Sequence, residues 1–321
     1  MITRYDLAPL DGITKAVFRR VHHAMFGGPD RYFIPFFSPT DQHILTQRDR
    51  RELDAANNGE LPLVPQVMTR RAEDFLWAAE VLADLGYREV NLNLGCPSGT
   101  VTAKGKGSGF LAHPEELDHF FDQVFSSVKL PVSVKTRLGY ETPEEFYRLL
   151  EIYNRYPITC LTIHPRIRKE KYRGPIHYDI FRWAVAESRN PVCYNGDLLT
   201  VEDCAAFTRD YPAVEAVMIG RGAVADPALF RKLRGGAAAT RQELETFTAE
   251  LYRQYREFYG QPQPAAQRMK EVWFYLIHLF ENGDKLDKKL RRSRGPAAYE
   301  SIEAEIFQTL SLRTFATGPL I

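Results

Sequence analysis

The sequence lacks any closely spaced pair of cysteines. Its four, Cys96, Cys160, Cys193 and Cys204, form no C-x-x-C motif. That excludes a thiolate zinc site or a disulfide framework and fits a reducing compartment. There is no run of about 18 apolar residues, so no helix that spans a membrane is expected. The polar opening Met1–Asp6 and the short, broken stretch Leu7–Ile13 do not read as a signal peptide, and a cytoplasmic location is expected. Net charge is also lacking: 42 Lys and Arg stand against 41 Asp and Glu, for +1. A globally basic nucleic-acid binder is thereby excluded, and any RNA would have to be held by local clusters. The turn after the first strand candidate, Ala8-Pro9-Leu10-Asp11-Gly12, is not the glycine-rich turn of a dinucleotide-binding sheet. Repeats and low-complexity tracts are missing too.

What is present is alternation. Eight strand candidates run along the first part of the chain: Tyr5–Leu10, Tyr32–Phe37, Leu63–Val67, Glu89–Leu94, Val132–Thr136, Cys160–His164, Val192–Asn195 and Ala216–Ile219. Most are rich in β-branched or aromatic residues, and Gly, Pro or Asp closes many of them. Helical spacing separates them, as in Glu73–Leu85, Pro114–Val128 and Pro143–Tyr156; proline costs nothing in a first helical turn. Eight strand–helix units predict an α/β fold, a (β/α)8 TIM barrel, over residues 1–236. After Gly235-Gly236 only helical periodicity remains. Phe247, Leu251, Tyr252, Tyr255 and Tyr259 line one face; Met269, Val272, Trp273, Leu276, Ile277 and Phe280 a second; Ile302, Ile306 and Leu310 a third. Residues 237–321 are therefore expected to form a small helical domain of three or four helices.

Function in such a barrel sits at the C-terminal strand ends. Those ends carry Pro9-Leu10-Asp11, Gln66, Asn91-Leu92-Asn93-Leu94-Gly95-Cys96-Pro97-Ser98, Lys135-Thr136-Arg137, His164-Pro165-Arg166, Asn195-Gly196-Asp197 and Gly220-Arg221-Gly222. Gly196 and Gly220–Gly222 follow strands seven and eight, where barrels commonly hold a phosphate, and Arg221 can fork onto its oxygens. Gln66, Lys135 and Asn195 suit a flat heterocycle with carbonyl and N–H edges, such as a reduced flavin, because amides donate and accept and a cation holds negative charge on the ring. Cys96 follows a strand and is surrounded by no apolar run. A thiol of ordinary pKa, roughly 8.5, is mostly protonated at neutral pH and can donate a proton. The glycine- and lysine-rich stretch Gly99–Gly109 after it reads as a mobile lid. The other three cysteines read as inert small apolar residues. No metal site is expected.

The run Asn91–Ser98 resembles the signature of the tRNA-dihydrouridine synthases. The likeness extends in order through Ala8–Gly12, Gln66, Val134–Arg137, His164–Arg166, Tyr194–Asp197 and Met218–Gly222, across residues 5–235. The resemblance implies an FMN-containing barrel, reduced by NADPH (or NADH), that saturates the C5–C6 bond of a uridine in folded RNA, tRNA above all. It implies FMN contacts at Pro9, Leu10, Asp11, Gln66, Lys135, His164, Asn195, Gly196, Asp197, Gly220 and Arg221. Asn93 would meet the flavin or the uracil, and Cys96 would protonate uracil C5 from the face opposite hydride delivery. Arg137 and Arg166 would join Asn93 in substrate binding. The basic cluster Lys285–Arg294, with Lys288, Lys289, Arg291 and Arg292, would hold the RNA backbone, and the cluster Arg166–Arg173 is a second candidate.

One stretch departs from the family pattern. Where the family has His-Gly-Arg-Thr, this chain has His164-Pro165-Arg166-Ile167, followed by Arg168-Lys169-Glu170-Lys171-Tyr172. Proline removes a backbone N–H there. Rival readings are the same chemistry on another RNA, such as rRNA, a flavin enzyme of dihydroorotate or enoate type acting on a free small molecule, and a barrel that binds phosphate or RNA without redox chemistry; fold alone separates none of these.

Overall fold

A computed structural model describes residues 2–318. Eight parallel strands close into a barrel in chain order: β1 (Arg4–Leu7), β2 (Arg31–Phe37), β3 (Leu63–Val67), β4 (Val90–Leu94), β5 (Val132–Arg137), β6 (Leu161–His164), β7 (Val192–Tyr194) and β8 (Ala216–Ile219). Each strand is followed by helix, which is the (β/α)8 alternation legible in the sequence. The boundaries differ from the sequence expectation by a few residues. The first strand stops at Leu7 because Pro9 has no N–H for a ladder and the Leu10 carbonyl turns to accept Ile13 N (2.9 Å) and Thr14 N (3.0 Å). Within β2, Pro35 sits where the register against β3 shifts, between Ile34 and Phe37.

The chain divides into two compact units. One holds the chain up to Pro9, Asp30–Gly196 and Thr208–Met218; the other holds Leu10–Pro29, Asp197–Phe207 and the chain from Ile219 onward.

In the first unit, Ala8, Phe33, Val64, Cys160, Cys193, Ala216 and Met218 form one buried cluster. Residues in four strands, with Ala8 directly after β1 and Cys160 directly before β6, can meet only inside the barrel, so these positions fix the inward face. Side chains alternate with a period of two, and register partners in a parallel sheet share a face. Val64 inward therefore puts Gln66 inward; Gln66 pairs with Asn91, Asn91 with Ser133, and Asn93 with Lys135. Likewise Cys160 places Thr162 and His164 inward, and Cys193 places Asn195 inward. The alternating apolar positions, Val90, Leu92, Leu94, Val132 and Val134, are buried against the surrounding layer.

In the second unit the helix Ala16–Met25 packs on the helix Arg241–Tyr259 through Phe18 and Phe26, whose rings lie 6.0 and 5.3 Å from Phe247. Thr240 and Glu243 close a capping box at the start of the latter helix, and Gly260, at φ +68°, ends it. Helices Pro262–Leu276, Asp284–Arg292 and Pro296–Thr309 follow, so the tail is helical as its periodicity predicts. Trp273 Nε1 (3.0 Å) and Tyr299 Oη (2.5 Å) both donate to Glu303 Oε1, tying the first of these three helices to the last. Burial pushes the Glu303 carboxyl above its ordinary pKa.

Candidate active site

In the first unit the polar residues expected from the sequence gather on the inward face at the C-terminal strand ends. Cys96 lies just past β4 and is half-buried. Its backbone is held from both sides. Asn93 Oδ1 accepts Gly95 N (3.0 Å) and Cys96 N (2.9 Å), which turns the chain sharply after the strand. The Cys96 carbonyl accepts Ser108 N (3.1 Å) and Ser108 Oγ (2.8 Å).

Those contacts tie the stretch that reads as a lid to the Cys96 turn. The stretch folds into a short helix, Gly99–Thr102, and a 3-10 helix, Gly107–Ala112, and Ser108 is buried. Its glycines serve close packing. Gly107 has φ +56°, and a Cβ there would come within 2.9 Å of the Cys96 carbonyl oxygen.

Arg137 is 1% exposed and spans three backbone carbonyls. Its Nε donates to Gly95 O (2.8 Å), and its Nη1 donates to Ile167 O (3.2 Å) and Lys171 O (2.7 Å). The guanidinium also lies 5.3 Å from the Tyr172 ring centroid. Arg166 is buried, and its Nε donates to Gly174 O (2.7 Å). Its Nη1 lies 3.3 Å from His164 Nε2. The two arginines expected at the substrate are thus engaged with the protein's own backbone.

Lys135 is half-buried and makes no hydrogen bond or ion pair among the described residues. Burial, and then the neighbouring Arg137 charge, bring its pKa down to about 7. Cys96 also lies within electrostatic reach of both cations. Beside Lys135 in register, Thr162 has a buried hydroxyl with no hydrogen-bond partner. An unpaired ammonium and an unpaired buried hydroxyl on one inward face are the groups a polar ring edge would satisfy. Gln66, 1% exposed, bridges Asn91 and Asn93, and Asn195 Nδ2 donates to Met218 O (2.8 Å). At Gly196 a Cβ would collide with the Tyr194 hydroxyl, so this glycine serves local packing. Pro9 is half-buried at the end of the first segment of the unit.

The second unit holds the remaining expected residues. Leu10 N donates to Thr14 Oγ1 (2.8 Å), and Asp11 is exposed. Arg221 is ion-paired with Asp197 and largely buried. Gly220 precedes the short helix Arg221–Ala225. Lys288, Lys289, Arg291 and Arg292 are all exposed on the helix Asp284–Arg292, which buries Leu286 and Leu290 on its other side. Lys289 pairs with Glu305 and Arg291 with Asp287 (2.6 Å); Lys288 and Arg292 make no ion pair among the described residues.

The cluster Arg166–Arg173 is less open than its sequence suggests. Glu141 faces both Arg168 (3.2 Å) and Lys169 (3.6 Å), and the Arg168 guanidinium lies 3.9 Å from the Tyr140 ring centroid. Glu170 accepts Ile167 N (2.8 Å) and pairs with His177 (2.8 Å). Sequence reasoning missed this neutralisation because Glu141 is remote in the chain. It also missed Ser133, Thr162 and Ser108, whose strand or loop contexts carry no chemical signal. No group of three or more metal-ligating side chains occurs among the described residues, and no helix there is long and apolar enough to cross a membrane.

Comparison with known proteins follows the same outline. The profile of the dihydrouridine synthase (Dus) family matches residues 6–309. The chain is 28% identical over 283 residues to tRNA-dihydrouridine synthase B of Pasteurella multocida, covering 85% of this chain and 83% of that one. It is 32% identical over 238 residues to a probable tRNA-dihydrouridine synthase of Staphylococcus epidermidis, covering 71% of each. Among solved structures, morphinone reductase superposes with a TM-score of 0.52 at 14% identity, over 74% of this chain and 87% of that one, a likeness of fold.

Proposed function

The chain belongs to the dihydrouridine synthase family, and we propose that it reduces the C5–C6 double bond of a uridine in tRNA, with FMN as cofactor, NADPH (or NADH) as reductant and Cys96 as proton donor. The observation that carries this reading is the position of Cys96. Asn93 and Ser108 hold its backbone and Arg137 holds the preceding Gly95 carbonyl at the end of β4, within electrostatic reach of Lys135. Likeness to tRNA-dihydrouridine synthases supports tRNA over another RNA, and a tRNA substrate supports a cytoplasmic location.

Bound at the strand ends, reduced FMN would supply the hydride that adds to uracil C6. Gln66, Lys135, His164 and Asn195 of the first unit have the donors and acceptors for the flavin's polar edge, with Pro9 and Gly196 giving backbone approach. In the second unit, Arg221, ion-paired with Asp197 just after Gly220, has the forked donors that a phosphate takes. Thr162 joins this set through its unsatisfied hydroxyl.

The remaining work falls to the protein. As hydride adds at C6, negative charge grows at C5 and O4. Lys135 offsets that charge, and the Cys96 thiol gives its proton to C5; the thiolate recovers a proton from solvent between turnovers. Asn93 keeps one N–H free for a base or ring carbonyl after its other polar contacts are made. Arg137 and Arg166 act on substrate through the loops they hold. A stacked uridine cannot reach a barrel mouth, so it must be splayed out of the RNA. The helices between Arg241 and Thr309, with the exposed Lys288 and Arg292 and with Lys289 and Arg291, would grip phosphates and make affinity salt-dependent.

The test is mass mapping of dihydrouridine in RNA from cells with and without this protein. Loss of dihydrouridine at one or more tRNA positions is expected. An unchanged tRNA map would reject the reading, and a loss confined to rRNA would reject tRNA as the substrate.

A further inference from the structure

The inward amides of β3 and β4 form a single file of hydrogen bonds with one direction. Gly95 N and Cys96 N donate to Asn93 Oδ1 (3.0 and 2.9 Å). Asn93 Nδ2 donates to Gln66 Oε1 (2.7 Å), and Gln66 Nε2 donates to Asn91 Oδ1 (2.7 Å). Asn91 Nδ2 donates to Ser133 Oγ (2.9 Å), and Ser133 Oγ donates to Glu89 Oε1 (2.5 Å).

Both ends of the file permit only this polarity. A backbone N–H only donates, so Asn93 must turn its oxygen toward Cys96. A carboxylate only accepts, so the single Ser133 proton points at Glu89 and the Ser133 oxygen is left to accept from Asn91. Glu89 is itself fixed by Arg31 Nη1 (2.9 Å), and Arg31 is held by both oxygens of Asp6 (3.1 and 2.9 Å). Glu89 lies one residue before β4, whereas Cys96 lies two residues past its end. The file therefore links the strand's entrance to its exit through side chains alone.

We propose that Glu89 and Ser133 are positioning residues for Cys96. They set the direction of the amide file, and through Asn93 that direction holds the backbone of the Cys96 turn. The same direction decides what Gln66 and Asn93 offer a ligand. Each amide spends one N–H in the file and keeps the other, so the file presents donors. Reversed, it would present carbonyl oxygens and leave Cys96 N without its acceptor. The proposal deepens the reading of Cys96 as proton donor and rests on it for its catalytic consequence.

The variants are Ser133→Ala, Ser133→Thr and Glu89→Gln in the flavin-loaded protein. Ser133→Ala removes the link but leaves the Glu89–Arg31 pair in place. Glu89→Gln supplies an N–H where only an acceptor stood, so the file can reverse. Three quantities are read: the rate and pH profile of Cys96 alkylation by iodoacetamide, located by peptide mass; flavin content; and kcat and KM on tRNA. Losing the hold on the turn is expected to raise the alkylation rate about tenfold and lower kcat by about as much. In Ser133→Ala, where the Cys96 end still fixes the direction, KM and flavin content should stay near wild type; in Glu89→Gln, where the file can reverse and Gln66 would lose its free donor, flavin content should fall; Ser133→Thr should restore both rates. The proposal is overturned if Ser133→Ala leaves alkylation and kcat within about twofold of wild type, or if Ser133→Thr behaves like Ser133→Ala. Should Glu89→Gln fail to fold for want of the Arg31 pair, the two Ser133 variants decide alone. Alkylation reads the position of Cys96 whether or not the thiol donates a proton, so failure here is distinct from failure of the acid role, which Cys96→Ala tests.

Discussion

Replacing Arg137 with Met keeps the aliphatic stem and removes the guanidinium. Three contacts, one buried and two half-buried, disappear together: Nε to Gly95 O at 2.8 Å, and Nη1 to Ile167 O at 3.2 Å and Lys171 O at 2.7 Å. Hydrogen bonds from a charged donor contribute about 1.5–3 kcal/mol each, and a buried carbonyl left without a partner costs about 1–3 kcal/mol. Against this, burial disfavours the charged guanidinium, whose pKa is lowered for that reason. The balance is a net loss of about 3–4 kcal/mol, since one charge serves all three acceptors and the Lys171 loop lies near solvent. That is a large share of the 5–15 kcal/mol typical of folded proteins. Arg137→Lys should lose about 2 kcal/mol, because a point charge cannot span three carbonyls. Urea unfolding followed by circular dichroism measures the loss. Limited proteolysis between Arg168 and Arg173 should accelerate in step, since that segment loses its anchor. A Met variant with less than about 1 kcal/mol of destabilisation, unchanged proteolysis and a raised KM for tRNA would refute the strut and return Arg137 to the substrate.

Further outcomes follow from the same geometry. His22 is fully buried among Phe18, Phe26 and Phe230, with Nε2 donating to Pro227 O (3.0 Å), and burial lowers its pKa to about 4. The unfolded imidazole takes up a proton near pH 6.5 and the folded one only near 4, so stability falls as pH drops through that window, by at most about 3 kcal/mol. His22→Gln, which keeps a donor, should flatten that part of the pH–stability curve; an unchanged slope would contradict the assignment. Lys135, with its pKa brought down to about 7, should regain its proton as FMN binds, so affinity should weaken as pH rises above about 7. Fluorescence titration of the apoprotein should show this slope, and Lys135→Met should abolish it. Changing Lys288, Lys289, Arg291 and Arg292 together to Gln should weaken tRNA binding at unchanged flavin content and reduce the log–log salt slope by about 0.9 per lost phosphate contact. Because Lys289 and Arg291 are already ion-paired, Lys288 and Arg292 alone should account for most of the change.

The barrel was legible because its strands are β-branched runs closed by Gly, Pro or Asp, and the tail because its apolar residues recur at helical spacing. Cys96 was legible because its strand-end context is polar on both sides. What stayed hidden depends on partners distant in sequence. A strand-end arginine looks alike whether it meets a substrate or a carbonyl 34 residues away, as Arg137 meets Lys171. The run Arg166–Arg173 reads as a basic face until Glu141 is folded against it. Gly107 and Gly109 read as mobility, yet a Cβ at Gly109 would lie 2.7 Å from Thr102 O, so the residue is there to let two turns touch. The amide file was half legible: Gln66, Asn91 and Asn93 are conspicuous polar residues in apolar strands, but its direction is set by Ser133 and Glu89, which resemble ordinary strand and surface positions.

The central claim, that Cys96 protonates a uracil reduced at this barrel, is tested most directly by single-turnover reduction of unmodified tRNA with wild-type protein and Cys96→Ala, both loaded with FMN and reduced by NADPH. Equal flavin content and equal reduction by NADPH are expected, with dihydrouridine formation slowed by about two orders of magnitude or more in the variant. Dihydrouridine formed by the variant at the wild-type rate would contradict that claim.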